Sequence, residues 1–168
     1  MDMQSAYPAT MCFTKAGLTA GTTTTLSTTA TVQYAIRGKA YSKTAITNGA
    51  TPTTDWATGN AFNAVGINQG SVFTIGFDHS GNVKVIQGTI EALDTTGNFI
   101  RAPMFGGLGP VGQGSTDNDF CPIGYVTILV GATGAAWTFG SSNLAGPPTG
   151  VVVNWQDCST LPDRPQVS

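Results

Sequence analysis

Hydrophobic and polar positions alternate along much of the chain with the two-residue period of a half-buried β-strand. The pattern is clear at the end of residues 21–36, where four apolar positions share one face: Ala30, Val32, Tyr34 and Ile36. Residues 37–39 supply a turn, and residues 40–46 can return as a partner strand. The pattern therefore predicts two neighbouring antiparallel strands in this part of the chain.

The same alternation predicts a second hairpin over residues 71–88. In its first strand three apolar side chains share a face, namely Phe73, Ile75 and Phe77. Asp78 and Gly81 stand at the start and the end of the intervening segment, which are the usual positions of an acidic residue and a glycine in a tight turn. His79, the only histidine of the chain, is then expected at the water-exposed tip of that turn.

The remaining strands are predicted in the last third of the chain. Residues 122–131 form the most apolar run and are expected to be a central strand, with residues 135–140 as its partner and residues 150–157 as the last strand. The segments 47–60 and 97–120 are rich in Gly, Pro and Asn and are predicted to be loops.

Short strands separated by glycine-rich turns indicate an all-β fold, either an antiparallel β-sandwich or a barrel, of jelly-roll-like type. Residues 21–168 are predicted to form a single β domain, because no composition break divides them. Residues 1–20 are weakly patterned and are predicted to form an N-terminal arm.

Composition agrees with this fold class and restricts the partners. Charged residues make up only 10% of the 168 residues, against about 25% in ordinary soluble proteins. The net charge of −2 supplies no basic field for a phosphate backbone, so no nucleic-acid partner is expected. No apolar run reaches the length needed to cross a bilayer, and no membrane partner is expected.

Candidate chemistry is sparse. Asp78, His79 and Ser80 are sequence neighbours in a tight turn, whereas a catalytic triad needs members brought together from separate rigid elements. Asp117 and Asp119 match only part of a calcium-binding loop, and whether they hold an ion is left open. We therefore predict a protein that is not an enzyme, with no catalytic residue, no cofactor and no metal.

The three cysteines are Cys12, Cys121 and Cys158, an odd number at wide spacing. This pattern fits neither a disulfide framework nor a zinc site. We expect all three to be reduced side chains that pack in the interior.

Four short motifs occur in a fixed order: "IRGKAYSK" at 36–43, "VKVIQGTI" at 83–90, "CPIGYVTI" at 121–128 and "GVVVNWQDCSTLPDRP" at 150–165. Together they resemble a group of small β-rich virion proteins of tailed bacteriophages. The resemblance implies a structural protein that decorates or cements the capsid by binding the major capsid protein, as a homo-oligomer expected to be a trimer. It also implies assembly in the host cytoplasm and a position on the virion surface.

An alternative function stays open, namely a carbohydrate- or receptor-binding module of a head fibre, collar or tail appendage. For either function we expect an interface rather than a pocket, formed by apolar residues of segments 1–20 and 104–116. The candidates are Tyr7, Met11, Phe13, Leu18, Met104, Phe105 and Leu108. The competing interpretation is that both segments fold back on their own domain.

Overall fold

The structure is a computed structural model that describes residues 10–107, 119–159 and 165. Its described residues form nine β-strands and no helix: β1 (Met11–Cys12), β2 (Leu18–Ala20), β3 (Leu26–Thr28), β4 (Val32–Ile36), β5 (Lys39–Lys43), β6 (Gln69–Phe77), β7 (Val83–Ala92), β8 (Cys121–Val130) and β9 (Val151–Asp157). The prediction of an all-β fold is confirmed. The described part of the chain contains no helix that is long and apolar enough to cross a membrane.

The strands form three antiparallel sheets. The largest has the order β7-β6-β8-β9, the second has the order β1-β4-β5, and β2 pairs with β3. The arrangement is sandwich-like, and the four-stranded sheet does not close on itself, so the barrel alternative is excluded. The predicted hairpin of residues 71–88 corresponds to β6 and β7, and β6 is an inner strand of the sheet.

The hydrophobic core lies on the face of the four-stranded sheet that carries Phe73, Ile75 and Phe77. The Phe73 ring stacks on Phe139 at 4.9 Å between ring centres and meets Trp137 edge-on at 5.9 Å. At the other end of the same strand, Phe77 packs against Tyr34 of the three-stranded sheet at 5.5 Å. This aromatic series joins the two larger sheets and the loop of residues 135–140 into one core.

The opposite face of β6 is also buried, which the alternation did not predict. Phe105 packs edge-on against Tyr125 of β8 on this face. At Gly70 and Gly76, an added Cβ atom would meet the rings of Phe99 and Phe120 respectively. Loop residues therefore cover the second face and approach the sheet where glycine leaves room for a ring.

Two predictions require correction. The N-terminal arm cannot include residues 10–20, because Cys12 and Leu18 are buried and lie on strands paired with β4 and β3. Residues 1–9 lie outside the described residues. Residues 135–140 do not pair with β8, whose partners are β6 and β9; Trp137 instead forms an isolated bridge with Val65 and packs in the core.

Candidate functional site

The turn between β6 and β7 is organised by the buried side chain of Asp78. Its Oδ1 accepts hydrogen bonds from the main-chain N–H groups of Ser80 at 2.9 Å and Asn82 at 2.8 Å. Its Oδ2 accepts a third from Asn82 Nδ2 at 2.9 Å, and Lys84 Nζ lies 3.7 Å away. Burial would raise the pKa of Asp78, but these hydrogen bonds and Lys84 outweigh it and hold the pKa below its ordinary value.

Tyr34 fixes this turn from the second sheet. Its hydroxyl donates to the main-chain oxygen of Asp78 at 2.8 Å, in a buried position. Burial is the main reason that the pKa of Tyr34 rises to about 12, with a further contribution from the nearby Asp78 carboxylate. The hydroxyl therefore stays protonated and remains a donor at any ordinary pH.

His79 lies at the tip of the turn, and its side chain is 62% exposed, so the predicted placement is confirmed. The structure adds a partner that the sequence did not indicate. The Asp119 carboxylate accepts the His79 main-chain N–H at 2.7 Å and also binds ring atom Nδ1. Asp119 is 40 residues away in sequence and lies just before β8, which pairs with β6.

This arrangement orients the imidazole of His79. Among the residues that the structure describes, no hydroxyl or thiol hydrogen-bonds to the His79 ring. Asp119 acts as a second support for the turn through one main-chain and one side-chain contact. Asp117 lies outside the described residues, and within the described ones no three metal-ligating side chains form a group.

The three cysteines meet where β1, β8 and the end of β9 lie together. Cys12 N–H donates to Ser159 O at 3.1 Å, and Cys158 N–H donates to Ile123 O at 3.1 Å. All three are free thiols. Burial, followed by the proximity of the other two cysteines, raises the pKa of Cys121 to about 12, and burial followed by Cys12 raises that of Cys158 to about 11. Protonated thiols in this setting behave as packing groups rather than as nucleophiles.

The candidate interface residues do not form one surface. Leu18 is buried in the core, so it cannot contact a partner while the domain is folded. Met11 is half-buried on β1, whereas Phe13, just after β1, is 56% exposed. Met104 is 51% exposed and Phe105 is half-buried against Tyr125. Tyr7 and Leu108 lie outside the described residues.

Met104 is one of three exposed apolar side chains near β7, and the sequence did not single out the other two. The segment 98–107 runs beside β7, with Ile100 N–H donating to Ala92 O and Thr89 N–H donating to Met104 O. Ile100 is 69% exposed, and Ile67 is 54% exposed close to the same end of β7, where Leu93 N–H donates to Asn68 O. We call these three side chains, Ile67, Ile100 and Met104, the β7-end surface.

The tryptophans offer little surface for stacking on a sugar. Trp137 is fully buried, and Lys84 Nζ lies 4.1 Å from the ring centre of Trp56. Trp155 is half-buried on β9. Core packing therefore accounts for Trp137, and a cation–π contact occupies one face of Trp56.

Comparison with known proteins provided no relative: no family model, no curated protein and no solved structure matches this chain.

Proposed function

We propose that this protein is a structural component of a tailed-bacteriophage virion that decorates the capsid and binds the major capsid protein. The proposal rests on the resemblance of four sequence motifs to such proteins. Two of them lie within β7 and β8 of the four-stranded sheet, a third begins with β9 and continues beyond the described residues, and the fourth covers the end of β4, the turn and β5. The described parts of the motifs therefore belong to the strand framework of the fold.

The structural observation that supports a docking role, rather than a catalytic one, is the β7-end surface. Exposed apolar residues are individually ordinary, but here three of them lie beside one strand, two on the same segment. Ile100 and Met104 project from one segment whose main chain is tied to β7 by hydrogen bonds. A surface held in place before binding loses little conformational entropy when it docks. In this proposal it contacts the capsid, and Phe13 supplies a separate exposed group.

The experiment is a binding assay with purified phage particles that lack the protein. Wild-type protein should bind at hundreds of sites per particle, and bound particles should lose their DNA at a higher temperature because binding stabilises the intact shell. Met104→Asp should weaken binding, whereas Ala45→Asp places the same charge at another exposed loop position and should not.

Copy number separates the two candidate functions. A dozen copies or fewer per particle would overturn decoration in favour of an appendage such as a head fibre, collar or tail module. Absence from purified particles would refute a virion role altogether. Equal binding by wild type and Met104→Asp would refute the docking surface alone.

A further inference from the structure

The two edge strands of the four-stranded sheet, β7 and β9, differ in whether loops of the same chain bond to their outer main-chain groups. The outer main-chain groups of β7 are bonded at four places, by Trp56 N–H to Val85 O, Gln87 N–H to Asp55 Oδ2, Thr89 N–H to Met104 O, and Ile100 N–H to Ala92 O. The loops that include residues 55–56 and 98–107 thus cover this edge. Covered edges cannot pair with another chain.

The two outer strands of the three-stranded sheet, β5 and β1, also have features that disfavour pairing with another strand. The outer strand β5 carries Lys39 and Lys43 at its two ends, and lysines on an edge disfavour pairing with a further strand. At β1, the Cys12 N–H is bonded to Ser159 O. The remaining edge of the four-stranded sheet is β9, and its residues 151–156 contain no charged side chain and no proline.

Two hydrogen bonds fix which main-chain groups of β9 face outward. Gly131 N–H donates to Gly150 O just before the strand, and Cys158 N–H donates to Ile123 O just after it. In an antiparallel ladder the bonded residues alternate, so the even-numbered residues of β9 bond to β8. The N–H and C=O groups of Val153, Trp155 and Asp157 therefore point away from the sheet.

This outward-facing stretch is bounded at both ends and symmetric about Trp155. Before it, the Val151 N–H donates to Pro148 O; after it, the Ser159 oxygen accepts from Cys12. Within the described residues, no main-chain or side-chain group bonds to the outward N–H and C=O groups between these limits. Leu18 lies over the sheet face at Gly124, and its N–H donates to the Asp157 side-chain Oδ1 at 2.9 Å rather than to an outward main-chain group of β9.

We propose that β9 pairs antiparallel with β9 of a second copy of this chain across a two-fold axis at Trp155. In that register, Trp155 exchanges hydrogen bonds with its own copy, and Val153 of each copy exchanges them with Asp157 of the other. The two four-stranded sheets then become one continuous eight-stranded sheet.

The strand meets the requirements for pairing with a copy of itself. Because the outward groups are symmetric about one residue, each donor and acceptor in 153–157 meets its complement in the same segment. Asp157, the only charged residue of β9, faces Val153 rather than a second carboxylate. Pairing therefore creates no like-charge contact. This inference does not depend on the virion role.

Sedimentation velocity of the full chain over a range of micromolar concentrations tests the pairing. Wild type should show a reversible monomer–dimer equilibrium. Val153→Pro removes an outward N–H without removing a bond to β8, and it should weaken association by about tenfold or more, since each dimer loses two hydrogen bonds. The matched control is Ala40→Pro on the lysine-bearing edge, which should leave the equilibrium unchanged.

Amide hydrogen exchange of the wild type keeps the inference testable if the proline variant does not fold. The amides of Val153 and Trp155 should exchange more slowly as protein concentration rises. The amides of Val152 and Asn154, which point to β8, should be protected at every concentration. A monomer at all concentrations, a trimer without dimers, or an oligomer in which Val153 and Trp155 remain unprotected would each overturn the pairing, even if a different protein bound this edge.

Discussion

Removing the carboxylate of Asp78 should destabilise the β6–β7 hairpin much more than removing the imidazole of His79 in the same turn. The Asp78 side chain is almost fully buried, although it lies at the end of the sheet. Three donors point at it, two from the main chain and one from the Asn82 side chain, all within 2.9 Å. Asp78→Ala leaves the main-chain donors without this acceptor.

The magnitude follows from the kind of bond lost. Hydrogen bonds to a charged group each contribute about 1.5–3 kcal/mol, and water at the turn can replace part of that contribution. We expect Asp78→Ala to lower the free energy of unfolding by about 3 kcal/mol. Asp78→Asn keeps one oxygen for the main-chain donors but loses the negative charge facing Lys84, so about 1 kcal/mol is expected. A typical domain has only about 5–15 kcal/mol in total.

The effect should depend on pH in one direction. The pKa of Asp78 lies below its ordinary value of 3.8 in the folded protein, so the folded state favours the charged carboxylate. The stability that this charge contributes is complete above the unfolded pKa and is lost as pH falls through the lower, folded pKa. The difference in unfolding free energy between wild type and Asp78→Asn should therefore shrink below about pH 4.

Urea unfolding at neutral and acidic pH measures these differences, with His79→Ala as the control in the same turn. His79 is exposed and its main-chain bond to Asp119 survives the substitution, so a loss within about 1 kcal/mol is expected. An Asp78→Ala protein as stable as His79→Ala would refute the argument. So would an Asp78→Asn difference that grows as the pH falls.

Three further predictions concern other parts of the molecule. Phe73→Ala should cost about 3–5 kcal/mol in urea unfolding because it opens a cavity between buried rings, whereas Phe13→Ala at an exposed position should cost less than about 0.5 kcal/mol. Cys158 should react with iodoacetamide at pH 8 much more slowly in the native than in the unfolded protein. A pKa of about 11 leaves roughly one thiol in a thousand ionised at that pH, and only the ionised thiol reacts. Equal rates in the two states would contradict this prediction. Gly106→Ala should speed hydrogen exchange at the Thr89 amide, which donates to Met104 O on the same segment, because the added Cβ would overlap the Gln87 carbonyl oxygen. Gly146→Ala is the control and should leave this exchange unchanged, since its added Cβ meets no main-chain atom.

The sequence predicted the elements whose pattern is local. The β6–β7 hairpin could be located because alternation continues on both sides of a turn with Asp and Gly in the expected places. The central position of β8 followed from its uninterrupted apolar run, since only a strand covered on both faces has no polar side. Both features depend only on residues that are close together in the sequence, so they can be recognised without knowledge of the tertiary fold.

The errors arose where distant contacts decide the structure. Residues 10–20 have no periodic pattern because β1 and β2 contain only two and three residues, too few to display alternation. Residues 135–140 look like a strand because they are aromatic and β-branched, yet Trp137 and Phe139 fill the core from a loop. The partnership of His79 with Asp119 depends on the pairing of β6 with β8, and no local signal could have indicated it.

The buried second face of β6 links the fold to the proposed docking surface. Phe105 must reach the sheet for this face to be covered, and the segment that carries it is held along β7 by main-chain bonds. At Gly88 an added Cβ would overlap the Met104 main chain, so glycine is what allows the segment to lie so close. The same close contact leaves the side chain of Met104 directed to solvent rather than into the sheet. A rigid position for an exposed apolar group is therefore a consequence of how the sheet is covered, and Met104→Asp should reduce docking without reducing the stability of the fold.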